Sequence, residues 1–141
     1  MKPEDHIKRY EKMRTTLYEL INKPIRERDN ASIATIAHWA SYHLVSIIID
    51  QLEISEKLKH RNHRGVKKTL KESETINIIG DLSIQILDLY NKLENDFLIK
   101  YQYGSIDKLL DYEEINGLLK QLEDICKNIT EKVQEDGKKR Q

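Results

Sequence analysis

Apolar residues along this chain recur mostly at spacings of three and four, the helical period, and no stretch shows the alternation of a half-buried strand. The first amphipathic stretch predicts a helix over about 3–22, with Ile7, Tyr10, Met13, Leu17 and Leu20 on one stripe. Pro3 suits its first turn and Pro24 stops it. Asp29 and Asn30 offer an N-cap for a second helix over about 31–55. Its main stripe is Ile33, Ile36, Ala40, Leu44, Ile47, Ile48 and Leu52, and Ala34, Ala37, Ser41, Val45 and Ile49 carry the apolar character further round. A helix apolar on most sides belongs at the centre of a fold, and its small residues let a neighbour come close.

A basic loop then leads into a short helix over about 63–71. Ser73 or Thr75 caps a long helix reaching about 101, with Ile79, Leu82, Ile86, Tyr90, Leu93 and Phe97 inward and Gly80 as a weak point or late start. After the Tyr103, Gly104, Ser105 break, residues 111–114 read as a capping-box-like start. The last helix places Ile115, Leu118, Leu122, Ile125, Ile129 and Val133 on one face and ends near Gly137. Four long amphipathic helices and a short one must bury their stripes against each other. The prediction is an all-α fold: an antiparallel four- to five-helix up-and-down bundle with a short helix after a basic loop. Residues 1–137 form one domain in this reading, and 138–141 form a frayed basic tail.

With 141 residues the chain is long enough for a single core without staples. The lone Cys126 excludes an internal disulfide and a Cys-rich zinc framework, and it sits at the edge of the last apolar stripe as a small hydrophobe. The start of the chain is charged, and the longest apolar run, Leu44 to Ile49, is interrupted by Ser46. The expectation is a cytoplasmic chain that neither carries a signal nor spans a membrane. Net charge is zero, with 24 basic and 24 acidic residues, but the charges are segregated. From Glu56 to Lys71 seven Lys or Arg face one acid, whereas from Asp81 to Asp124 ten acids face four Lys. Opposed surfaces of this kind suit an anionic ligand or self-association.

Four of the five histidines lie between 38 and 63. His38 and His43 are five apart, a rotation of about 140° on a helix, so they do not form a metal pair on one face. Each has an aromatic residue at contact spacing, Tyr42 for His38 and Trp39 for His43, and the simplest reading is that both are packing residues. His60 and His63 share one turn but lie among Lys and Arg, where carboxylate co-ligands of a metal are missing. That segment, 57–71, fits an anion better: His60, Arg61, His63, Arg64, Lys67 and Lys68 would meet phosphates, with Gly65 allowing close backbone approach. The competing reading pairs it against the acidic helices further along. Tyr101, Tyr103 and Tyr112 either stack on a base or pin a loop to the bundle end. GxxxxGK[ST], GxSxG, HExxH and GxGxxG are all absent. Neither a metal nor a cofactor is expected.

Three segments resemble the HEPN superfamily of small helical bundles. Residues 37–48, AlaHisTrpAlaSerTyrHisLeuValSerIleIle, resemble its small-residue and aromatic second helix. HisArgGlyVal at 63–66 resembles its short His-hydrophobic segment, and residues 93–104 resemble the end of its long helix. The likeness covers about residues 5–135. It implies dimeric bundles that act as RNases, as RNase toxins or as non-catalytic partners of nucleotidyltransferases in toxin–antitoxin pairs. The RNase members carry Arg, four to six residues, then His; none of the histidines here has an Arg so placed, and Phe97 and Leu98 stand where an Arg is expected. The resemblance therefore implies a homodimeric binding or accessory module for RNA, a nucleotide or a protein partner. The alternative it leaves is a divergent, metal-independent RNase using His63, or His43 with Arg64.

Overall fold

Helix α1 (Pro3–Ile21) starts where Pro3 fits the first turn and stops one residue before Asn22, whose backbone N–H caps the last carbonyls. Of its expected stripe, Leu17 is buried and Tyr10, Met13 and Leu20 are half-buried against the core, whereas Ile7 is 44% exposed and His6 and Ile21 are buried instead. The computed structural model describes residues 2–24, 26, 28–59, 63–103 and 110–139, with the side chains at 63, 64, 102, 103 and 139 excepted. Among them every regular element is helical.

Helix α2 (Asn30–Asp50) begins at the expected cap. The Asp29 side chain accepts from the backbone N–H of Ser32 at 3.3 Å and from its hydroxyl at 2.8 Å, and these bonds hold the Asp29 carboxyl below its usual range. The helix ends at Asp50, short of the expected 55, and a one-turn helix α3 (Glu56–Lys59) occupies part of what reads as a loop. Helix α4 (His63–Lys71) matches expectation. The Thr69 hydroxyl ties α3 to α4, lying 2.9 Å from the carbonyl of Leu58 and 2.9 Å from that of Gly65. Ser55, between α2 and α3, donates to Glu74 from both its backbone N–H (2.8 Å) and its hydroxyl.

The long helix expected from 73 to 101 is three elements. Helix α5 (Ser73–Ile79) ends at Gly80, whose φ of +57° is left-handed and tolerated by glycine alone without strain. Helix α6 (Leu82–Lys92) then starts afresh, its Ser83 hydroxyl donating to the Leu70 carbonyl, and it runs into a π-helix (Leu93–Tyr103). The inward set is largely as expected, with Ile86, Tyr90, Leu93 and Phe97 buried.

Helix α7 (Tyr112–Lys139) starts with the Asp111 side chain accepting from the Glu114 N–H at 3.1 Å. It passes through Gly137, so 138 and 139 belong to the helix. Ile115, Leu118, Leu119, Leu122 and Ile129 are buried, whereas Val133 is 38% exposed. The Arg28 guanidinium lies 4.4 Å above the Tyr112 ring, pinning the α1–α2 connection to the start of α7.

Helix α2 is in the middle, touching α1, the π-helix, α7, α4 and α6. By length and composition it alone among the described helices is apolar enough to cross a membrane, yet 72% of that stretch is buried within the fold, the pattern of a core helix. Because the α5–α6 corner needs positive φ, Gly80→Ala is expected to destabilise the protein by about 2 kcal/mol in urea unfolding, although its side chain would meet open space.

Candidate functional site

Two polar clusters sit on α2 inside this otherwise apolar interior. The first joins α2 to the start of α1, where the Nδ1 atoms of His6 and His43 lie 2.8 Å apart in a buried hydrogen bond. One nitrogen must donate and the other accept, so the bond holds a single proton between the two rings. Tyr42 packs edge-on against both, at 5.9 Å from His6 and 5.0 Å from His43. Burial, then the neighbouring charges of His6 and Arg9, pushes the His43 pKa down to about 4. His43 is therefore neutral at physiological pH, and at 3% exposure it is closed to a solvent-borne substrate.

The second cluster joins α2 to α6, the π-helix and α4. His38 is fully buried, 5.1 Å from the Tyr90 ring and 6.2 Å from Trp39, with its Nε2 3.5 Å from a Glu94 carboxylate oxygen. The other Glu94 oxygen accepts from the Lys67 ammonium, which also lies 5.9 Å above the Tyr90 ring. Burial raises the Tyr90 phenol pKa, reinforced by Glu94 and then Tyr42. Glu94 is the second residue of the π-helix and lies on the same side as the buried Leu93 and Phe97. Tyr101 stacks on Phe97 with centroids 6.4 Å apart.

His38 meets Trp39 and Tyr90, and His43 meets Tyr42 and His6. His6 and Glu94 were not singled out by sequence reasoning. Helical spacing carries a signal for both: His6 falls at 6, 10, 13, 17 on the α1 stripe, and Glu94 falls at 90, 93, 94, 97 on the stripe that continues from α6.

Of the anion-binding candidates, His60 and Arg61 lie outside the described residues, and for His63 and Arg64 only the backbone, at the start of α4, is described. Lys67 is turned inward onto Glu94, which realises for this one residue the pairing of the basic segment with the acidic helices. Lys68 is exposed, as are Lys57 and Lys71. Among the described residues no group of three or more His, Cys, Asp or Glu side chains is arranged to hold a metal ion. Cys126 is half-buried with its thiol pKa raised by burial, which makes it a weak nucleophile. No family model matches the chain, and neither does any curated protein or solved structure.

Chemically, neutral His43 forms an internal clamp with His6, and Glu94 is an anchoring carboxylate between a cation and an imidazole. Folded His43 binds a proton more weakly than a histidine with the ordinary pKa of 6.5, so its contribution to stability is complete above about pH 6.5 and lost as pH falls towards 4. Thermal unfolding followed by circular dichroism is expected to show Tm falling across that window, with a flatter profile in His43→Gln. Glu94→Ala is expected to lose about 2–3 kcal/mol in urea unfolding by stranding Lys67 and His38. Lys68→Ala should change stability by less than about 0.5 kcal/mol.

Proposed function

We propose that this chain is a non-catalytic HEPN-like module: an antiparallel up-and-down bundle acting in the cytoplasm as a homodimer and binding phosphate-bearing ligands, RNA above all, through the basic segment 57–71. The observation that carries this reading is the division of labour on α3 and α4. Lys67 is spent on the interior carboxylate of Glu94, whereas Lys57, Lys68 and Lys71 hold their ammonium groups in solvent. Lys68 and Lys71 are three apart on α4, so they share one helical face, and Arg64 occupies the position one turn before Lys68. A row of cations on a rigid helix meets successive phosphates of a single strand without specifying bases.

The histidine geometry supports binding over catalysis. A general base needs reach to its substrate, and His43 is committed to His6 in the interior. Exposed apolar side chains such as Trp39 and Ile84 supply surface for self-association. A nucleotidyltransferase-like protein in a toxin–antitoxin pair is the partner class that the family resemblance offers.

Fluorescence anisotropy with a labelled single-stranded RNA tests the reading. Binding is expected to weaken steeply with salt, and replacing Lys57, Lys68 and Lys71 together by Ala should reduce the slope of log K against log salt by about 2. Unchanged affinity and slope in that triple variant, and in Arg61→Ala with Arg64→Ala, would exclude the basic segment as the binding surface.

A further inference from the structure

The ends of three helices meet around a cavity of about 330 Å³, large enough for a small ligand. Its lining comes from just beyond α2, from the last turn of α5 and from the last two turns of α7. Leu52 is buried, whereas Ile78 on α5 and Val133 on α7 keep 37% and 38% of their surface open. A single exposed aliphatic side chain needs no explanation. Here two of them, from different helices, line one cavity together with a buried leucine, and that makes an apolar lining fed by three elements.

The polar side of the cavity is built of acceptors. Glu53 and Asp136 bring carboxylates. Gln51 brings an amide oxygen, its NH₂ group being held by the Ile47 carbonyl at 3.2 Å. No Lys or Arg among the described residues lines the cavity, although Lys132 and Lys138 are sequence neighbours of Val133 and Gly137. The helix ends act in the same direction. Both α2 and α7 are long helices that finish here, and the last carbonyls of a helix carry a negative pole equivalent to roughly half a charge. Neither α2 nor α5 has a basic residue in its last turn to answer it. An anion is repelled by this arrangement, and a wholly apolar ligand would take the two carboxylates out of water without a partner. A small hydrated metal ion would leave the aliphatic lining unused. The chemistry that fits all of it is a cation on a hydrocarbon body.

We propose that this cavity binds a linear aliphatic polyamine. The methylene chain packs on Leu52, Ile78 and Val133, and the ammonium groups are taken by the carboxylates of Glu53 and Asp136 with the Gln51 oxygen. The site is separate from the basic segment 57–71, and each proposal stands if the other fails.

Isothermal titration of the RNA-free protein with spermidine is the test. Saturable binding of one spermidine per chain is expected, and magnesium chloride at matched ionic strength should not displace it. Asp136→Asn should weaken spermidine about tenfold. Val133→Ser, which keeps every charge, should also weaken it about tenfold by removing hydrocarbon contact. Both side chains are exposed, so circular dichroism should show both variants folded with little change in Tm. As a control, Asp88→Asn combined with Asp96→Asn removes two carboxylates from a different cavity, on α6 and the π-helix, and should leave the affinity unchanged. Absence of saturable binding, displacement by magnesium, unchanged affinity in Asp136→Asn or Val133→Ser, or an equal loss in the control variant would each overturn the proposal.

Discussion

Helix α2 has twelve buried residues among its 21, spread over more of its circumference than a single stripe, so it is stable only when other helices cover it on several sides. Each fully buried Ile or Leu contributes roughly 1.5–3 kcal/mol relative to exposure, and Ile33, Ile48, Ile49 and Leu44 all count towards that. This requirement arranges the molecule. Helix α1 covers one side, the π-helix another and α7 a third, while α4 and α6 close the remainder. Side chains at right angles to the main stripe then become interior ones, which is how two histidines enter the core.

A buried imidazole needs a partner, and the fold supplies a different one for each. His43, kept neutral first by burial, finds a second histidine from α1; His38 finds Glu94, itself held by Lys67. The two arrangements divide the chemistry of the chain. Titratable groups of the interior lock helices together, and the exposed cations Lys57, Lys68 and Lys71 lie on α3 and α4. Lys67 shows the division within one segment: four residues of the basic run lie within a single turn or two, yet packing against the π-helix draws one of them inward.

Much of the fold was legible because amphipathic periodicity and capping are local. The Asp29 cap, the stop after Ile21 and the start of α7 at Asp111 each depend on residues within four of one another. Gly80 was legible as a weak point or late start, and α6 does start after it, but its left-handed conformation was not legible. The π-helical winding from Leu93 was not legible either.

The candidate sites divide in the same way. Sequence alone determined the helical class, the central place of α2, the burial of His38 and His43 and the charge excess of 57–71, since each follows from periodicity or composition. Only tertiary structure decided that His6 is the partner of His43 and that Glu94 spends Lys67. These pairs are separated by 37 and 27 positions along the chain, and no local rule relates them. They exist because burying α2 forces distant helices into contact, and the register of those contacts is a property of the assembled core.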